Sequence, residues 1–528
     1  MEIKEITKGY AVSPQLYAGD ILVAAEQGFR SIICNRPDDE EQGQPTAQKI
    51  GDAASEAGLG FAYIPVSPKG LEDSQVDEMR AALDSLPGPV LAYCRSGARS
   101  SKIHALATEG GETVSPGPDR NFNIVIVGGG SAGIATAASI LKRNRKISLA
   151  IIEPSAEHFY QPGWTMVGGG VFSKEFTRKA EKNLIPTGAH WIQSSVATFE
   201  PDENKVSLCD GVRISYDLLI VCPGIKLNWE AIDGLADTLG QNGVTSNYGY
   251  NLAPYTNRLV KDMTSGRALF TQPSMPIKCA GAPQKAMYLS CYRWEKAGVL
   301  PDIDVQFHNA GGVLFGVDAY VPALMEYIER YGAGLNFTSN LVAVDGSRKV
   351  ATFEQKNGNA TKRVEEEFDM IHVVPPQCAP DFVSSSPLAG DSGFVDVDQA
   401  TLRHAKYPNI FSLGDACDAP NAKTAAAARK QAPIVAVNAL SVLSGGEPVA
   451  EYDGYGSCPL TVERGKIVLA EFGYGGKLLP SFPNWLIDST RPSRLSWLLK
   501  DTILPPVYWH GMLKGREWMV KPEIKRAA

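Results

Sequence analysis

The stretch Asn123–Glu153, NIVIVGGGSAGIATAASILKRNRKISLAIIE, decides how this chain folds. NIVIV (123–127) is a short Ile/Val-rich run, the pattern of a strand buried on both faces. Gly128-x-Gly130-x-x-Gly133 follows at once, then an Ala-rich stretch that predicts a helix to about Leu141, then a second strand, ISLAII, ending at Glu153. Each residue type has a mechanical reason. Gly128 makes the tight turn, and Gly130 lets the backbone, with Ser131 and Ala132 after it, approach a pyrophosphate. Gly133 lets helix and strand pack closely. The pyrophosphate then rests on the helix N-terminus. Glu153 stands 25 residues after Gly128, near the usual distance for a carboxylate that takes a ribose hydroxyl. The glycine spacing alone is weak evidence. With strand, helix, second strand and terminal acid all present, it predicts a dinucleotide site.

Around this unit lie 528 residues, 44% hydrophobic and 21% charged, enough for several domains with ample core. A formal charge of −7 argues against a nucleic-acid-binding protein, whose footprint is basic. The nine cysteines include no C-x-x-C pair and the seven histidines show no ligand spacing, so no metal is expected. An odd cysteine count points to a reducing compartment. The polar opening MEIKEITKGYAVSPQL reads as neither signal nor transit peptide. No apolar run reaches the roughly 18 residues a spanning helix needs.

EGGETVSPGPD (109–119) reads as a linker and sets off residues 1–108. In that first unit RSIICN, FAYIPV and PVLAYC read as strands, and TAQKIGDAASEAG and DSQVDEMRAALDSL as helices, an α/β alternation. A larger α/β region restarts at 120 and runs to about 490. The remaining 491–528 carry eight Lys/Arg against three acids, with Trp497, Trp509 and Trp518. Apolar residues and basic residues mixed in this way suit an interfacial membrane anchor, which Pro505-Pro506 is expected to split into two short pieces.

NIFSLGDACDAPNAKTAAAA (409–428) resembles the second flavin motif of the two-dinucleotide-binding flavoproteins. The resemblance makes FAD the cofactor, with Gly414 in the turn and Asp415 on the ribityl chain, and LLIVCPG (218–224) occupies the place of that family's inter-domain turn. Flavoproteins that use NADH carry a second glycine loop, but FTQPSMPIKCAGAPQKAMYLS (270–290) has none, and Cys279 stands where that loop would begin. This argues against an NAD(P)H-dependent persulfide or CoA-disulfide reductase, the main alternative.

FYQPGWTMVG (159–168), PIKCAGAPQK (276–285), HVVPPQ (372–377), YDGYGSCPL (452–460) and LPPVYWHGMLKG (504–515) resemble the sulfide:quinone oxidoreductases. That resemblance implies a redox pair formed by Cys279, facing the flavin, and Cys458, bearing the persulfide left when hydrosulfide opens the bridge. Lys278 and Lys285 would lower the thiol pKa, and Lys423 would stabilise charge on the reduced ring. It also implies a membrane quinone as electron acceptor, with Phe472 and Tyr474 as guesses for its pocket beside the tail. Glutathione, sulfite or a similar acceptor would take the sulfane sulfur. Peripheral attachment on the cytoplasmic face of a bacterial inner membrane and homo-oligomerisation are expected. Cys222 lies near the flavin turn. Cys209, Cys291, Cys378 and Cys417 read as structural.

PVLAYCRSGARSS (89–101) is a strand, a loop headed by Cys94, and a helix. Four residues separate Cys94 from Arg99, one fewer than tyrosine phosphatases carry, and the loop resembles rhodanese sulfurtransferases. The whole unit looks like a small phosphatase-like sulfurtransferase domain, in which Arg99 and the loop N–H groups stabilise a thiolate or persulfide on Cys94. An inactive structural module and a phosphatase are the alternatives, the phosphatase disfavoured because Asp38, Asp73 and Asp77 offer no convincing general acid. The expected architecture is therefore α/β throughout. A phosphatase-like domain (1–108) precedes tandem Rossmann-type flavoprotein domains (120–490) and a C-terminal amphipathic helical tail (491–528).

Overall fold

The strands of the first unit are four-residue segments, three of them fully buried, which is why they read as apolar runs rather than alternating ones. In the computed structural model, which describes residues 3–7, 9–41, 43–67, 71–108, 120–358 and 360–524, these strands are β1 (Lys4–Thr7), β2 (Tyr10–Ser13), β3 (Ser31–Cys34), β4 (Gly60–Tyr63) and β5 (Val90–Tyr93). They form one sheet of order β1-β2-β5-β3-β4, parallel except for the β1/β2 pair. Helices α1 (Ala18–Glu26), α2 (Ala47–Glu56) and α3 (Asp73–Ser85) supply the crossovers, and α4 (Ala98–Thr108) follows β5. The sheet's two faces build two apolar clusters, one around Ile32, Leu91 and Tyr93, the other around Ile33, Ala92 and Met79. The 109–119 linker lies outside the described residues.

The chain divides into two units. The first holds the residues up to Arg120 with Ser194–Thr198 and Lys205–Ser215; the second holds the rest. In the second unit β6 (Arg120–Val127), α5 (Ser131–Arg143) and β7 (Leu149–Ile152) form the βαβ unit read from the glycine motif, and β6 and β7 pair in parallel from Ile124 to Val127. β8 (Ala189–Ile192) extends the sheet beyond β7, while β9 (Arg213–Val221) flanks β6 on the other side. A late strand, described below, adds to β9.

A second parallel sheet is built from β10 (Val244–Thr245), β11 (Gly266–Gln272), β12 (Ile303–Asn309), β13 (Gly334–Phe337) and β14 (Met370–His372), in the order β10-β14-β11-β12-β13. Helix α6 (Ala282–Ala297) is the crossover between β11 and β12, so the sheet keeps Rossmann connectivity without a glycine loop. Phe270, Phe307, Tyr288 and Trp294 fill the space between α6 and the sheet. β15 (Ile410–Ser412) then returns to pair in parallel with β9, and α7 (Ala425–Leu443) follows it. The antiparallel hairpin β16 (Gly456–Glu463) and β17 (Lys466–Phe472) aligns Cys458 with Ala470 and Ser457 with Glu471.

The tail departs from expectation. Residues 494–514 form one continuous helical run through Pro505-Pro506, not two pieces. Proline has no N–H and its ring clashes with the carbonyl four residues earlier. Wide π-turns at Leu499–Ile503 and Val507–Gly511 accommodate both prolines without breaking the run. Ser493 caps its start by accepting from the Ser496 N–H at 3.1 Å. Among the described residues no helix is long and apolar enough to cross a membrane.

Candidate active site

At the glycine loop Gly128 has φ +107°, a conformation that L side chains rarely adopt. A Cβ built on Gly133 would lie 1.9 Å from the Gly128 carbonyl oxygen, so helix and strand meet only because this residue is glycine. A Cβ on Gly130 would meet no protein atom within 4 Å, which leaves the backbone open to a ligand. Glu153 accepts from the Gly129 N–H at 2.7 Å and the Ser155 N–H at 2.8 Å, and burial pushes its carboxyl pKa up.

From this loop a cavity of about 470 Å³ extends past Gly130, Ser131, Ala132 and Glu153 to Gly414, Asp415, Lys423 and Cys279. Several buried polar atoms on its wall have no protein partner: Trp164 Nε1, Glu181 Oε1 and both side-chain atoms of Asn247. A long cleft with a glycine loop at one end, a half-buried Asp415 and unpaired donors and acceptors along its side fits FAD. When bound, FAD would supply a two-electron acceptor. The N–H of Gly414 (φ +72°) donates to Gln431 Oε1 at 2.8 Å, which fixes the turn before Asp415. Burial raises the pKa of the Asp415 carboxyl, an effect partly offset by Lys423 and Lys278. Lys423 does not swing free. Its ammonium donates to the carbonyls of Asp415 (2.9 Å) and Cys417 (2.8 Å) and sits 4.1 Å over the Phe394 ring. Cys222 is buried against the glycine loop, its thiol 3.7 Å from the Gly128 carbonyl and raised in pKa by burial.

Cys279 lies in the loop between β11 and α6, just before the helix, with φ +53°. Its N–H donates to the Lys423 carbonyl at 2.8 Å, which ties the sulfur loop to the Asp415 loop. Cys279 Sγ is 3.6 Å from Cys458 Sγ and accepts from Lys285 Nζ at 3.1 Å. The hydrogen bond from Cys458, the Lys285 ammonium and the more distant Lys500 hold the Cys279 thiol well below the ordinary thiol range. The same pairing pushes Cys458 up, so negative charge on the pair is favoured on Cys279, the sulfur beside Lys285. The N-terminus of α6 adds its dipole to that stabilisation. Cys279 lines the cavity, and Cys458 lies behind it among the residues packed under α6.

Lys500 was readable in the sequence only as one basic residue of the tail. The fold buries it to 5% exposure, where it donates to the Pro162 carbonyl at 3.1 Å. Burial lowers its pKa to about 8, as it does for Lys278. Tail residues Leu499, Ile503, Leu504, Val507 and Tyr508 line the cavity as well. Tyr508 Oη meets His158 Nε2 at 2.6 Å, and His158 Nδ1 meets Glu181 Oε2 at 3.1 Å, a buried chain that no spacing rule in the sequence could have revealed. Phe472 and Tyr474 do not line this cavity. Strand alternation turns Phe472 to the Cys458 face of the hairpin, against Phe315 at 5.9 Å, and Tyr474 meets Tyr452 edge to face while donating to the Gln399 carbonyl. Among the described residues no cluster of His, Cys, Asp and Glu is arranged to hold a metal ion.

In the first unit Cys94 is fully buried at the end of β5. Arg99 forms a two-pronged pair with Glu40, at 2.7 and 2.8 Å, and donates to the Val66 carbonyl at 2.7 Å. Arg36 shares Glu40 at 2.8 Å and reaches Glu41 at 2.6 Å. One edge of the Arg99 fork is thus committed to a carboxylate rather than to the cysteine loop. Asp38 accepts from the Ala47 N–H at 2.7 Å at the start of α2, and Asp77 pairs with Arg80.

Fold and cavity together define a flavoprotein of the two-dinucleotide-binding class, with FAD as its cofactor and a cysteine pair in place of a nicotinamide site. The chain is 44% identical over 401 residues to the mitochondrial sulfide:quinone oxidoreductase of Dictyostelium discoideum, covering 75% of this chain and 87% of the relative. It is 38% identical over 395 residues to the mitochondrial enzyme of Mus musculus, again 75% and 87% of the two chains. The X-ray structure of the Aquifex aeolicus sulfide:quinone oxidoreductase superposes with a TM-score of 0.62 at 18% identity, over 77% of this chain and 98% of that one. The chain belongs to the sulfide:quinone oxidoreductase family. Residues 2–111 match the phosphatase-like domain of beta-lactamase hydrolase-like proteins.

Proposed function

We propose that this enzyme oxidises sulfide and passes the electrons through FAD to a membrane quinone. One observation carries the reading: the Cys279 sulfur stands on the wall of the flavin cavity, 3.6 Å from Cys458 Sγ and 3.1 Å from Lys285 Nζ. In the oxidised state hydrosulfide attacks the Cys458 sulfur of the Cys279–Cys458 bridge. The S–S bond breaks, a persulfide forms on Cys458, and Cys279 leaves as a thiolate facing the cavity. Lys285 stabilises that leaving group, and Lys278 and Lys500 add positive charge around it. Sulfide-dependent reduction of a soluble quinone analogue tests this, with Cys279→Ser and Cys458→Ser expected to lose it. Quinone reduction at wild-type rate in either variant would overturn it.

The persulfide sulfur then passes by way of Cys94 to a thiol or sulfite acceptor, and linking donor and relay in one chain raises their effective concentration. The short four-residue Cys94–Arg99 spacing supports sulfur transfer. The phosphatase-like family match favours a second reading, hydrolysis of phosphate esters. Sulfur transfer from thiosulfate to cyanide, lost in Cys94→Ser, supports the relay; hydrolysis of an aryl phosphate supports the second reading. The chain docks peripherally on a membrane, with the cytoplasmic face of a bacterial inner membrane and a homo-oligomer as the proposed setting. The exposed Leu495, Leu498 and Trp518 of the tail support membrane docking.

A further inference from the structure

The hairpin of β16 and β17 has two chemically different faces. Cys458 pairs in register with Ala470 and turns toward Cys279. The neighbouring pair, Ser457 and Glu471, turns with Pro459 and Leu469 into the cavity. Glu471 is only 3% exposed, so its carboxylate must be satisfied inside the protein. Tyr455 Oη donates to Oε1 at 2.6 Å, Ser481 Oγ donates to the same oxygen at 2.6 Å, and the Ser481 N–H donates to Oε2 at 2.9 Å. The Tyr455 and Ser481 hydroxyls are themselves 3.1 Å apart. All three residues line the cavity, beside the apolar Phe482, Leu469 and Ile503. The chain reaches water just past Ser481, and four residues on Trp485 is 84% exposed. The sulfide step uses none of these groups. A neutral ring with a carbonyl oxygen that gains charge needs what this wall offers: apolar contact, one hydroxyl donor, and a connected carboxylate to move a proton.

We propose that the Tyr455 hydroxyl turns from Glu471 to the quinone carbonyl and delivers one of its protons, with Glu471 as the positioning residue that holds the hydroxyl in place beforehand and refills it through Ser481. This deepens the quinone reading above and rests on it. The quinone gains two electrons and one proton as a hydride equivalent that originates in the sulfide step. As it does so, the Tyr455 O–H bond breaks and the second hydroquinone O–H bond forms. The phenolate recovers its proton from water by way of Ser481 and Glu471.

The test compares Tyr455→Phe and Glu471→Gln with wild-type holoenzyme in two anaerobic half-reactions, flavin reduction by sulfide and flavin reoxidation by a short-chain quinone. Reduction is expected within about twofold of wild type in both variants, while reoxidation falls about tenfold or more in Tyr455→Phe. In Glu471→Gln reoxidation slows and its pH profile moves, with quinone affinity, read from quenching of tryptophan emission, held within about threefold. Deuterated solvent slows reoxidation of the wild type and not of Tyr455→Phe. Full-speed reoxidation in Tyr455→Phe, or equal loss in both half-reactions, would overturn the proposal. If sulfide fails to reduce the wild type, the sulfide reading fails instead, and dithionite-reduced protein still tests Tyr455 by the same reoxidation.

Discussion

At the scale of single residues, the chemistry turns on why one of two adjacent thiols ionises. Cys279 and Cys458 share a buried environment, and burial alone raises a thiol's pKa. Lys285 Nζ sits 3.1 Å from Cys279 Sγ, so the charge settles on that sulfur. Because the Cys279 pKa is lowered, its thiolate persists as pH falls through the ordinary thiol range and is lost only well below it. Lys285→Met removes the ammonium, so the loss of thiolate moves to higher pH, by about one unit or more, each unit being about 1.4 kcal/mol. The ultraviolet thiolate absorbance of the dithiol form as a function of pH measures this. Lys500→Met is expected to move the titration in the same direction by less, since it is the smaller contributor. An unchanged titration in Lys285→Met would place the source of the stabilisation elsewhere.

At the scale of elements, the glycine loop and the tail make opposite demands. Gly133→Ala forces a Cβ to within 1.9 Å of the Gly128 carbonyl, so the β6–α5 junction must open. The expected cost is at least about 1–3 kcal/mol, with flavin content per protein falling sharply in the visible spectrum. Tyr508→Phe strips His158 Nε2 of its buried partner, costing about 1–3 kcal/mol. Calorimetry should then show a lower unfolding temperature and earlier loosening of the tail. The first of these elements was legible in the sequence because a glycine motif encodes local backbone geometry. The second was not. Whether Lys500 in an amphipathic run faces water or a cavity depends on what the run packs against, and Pro505-Pro506 reads as a break until π-turns absorb it. Phe472 shows the same limit within a strand: one residue of register separates the cavity face carrying Glu471 from the core face it occupies. The cysteine pair was legible only through a resemblance, since 179 residues separate Cys279 from Cys458.

At the scale of the whole molecule, each of the two units presents a cysteine in its own setting. The flavin unit presents a thiolate poised by a neighbouring thiol and lysine. The first unit presents a buried Cys94 on a loop whose Arg99 is engaged by Glu40. If Cys94 relays sulfur, protein treated with sulfide and quinone and then alkylated will show one added sulfur on the Cys94 peptide as well as on the Cys458 peptide by mass spectrometry. In Cys458→Ser both additions should vanish together. Added sulfur on Cys94 in Cys458→Ser would uncouple the two units.

The most direct test of the central claim is anaerobic mixing of holoenzyme with sulfide while the oxidised-flavin absorbance is followed. The account predicts rapid bleaching, recovery on adding a short-chain quinone, and loss of bleaching in both Cys279→Ser and Cys458→Ser. Bleaching by NADPH with none by sulfide would contradict it and make the chain a pyridine-nucleotide-driven reductase.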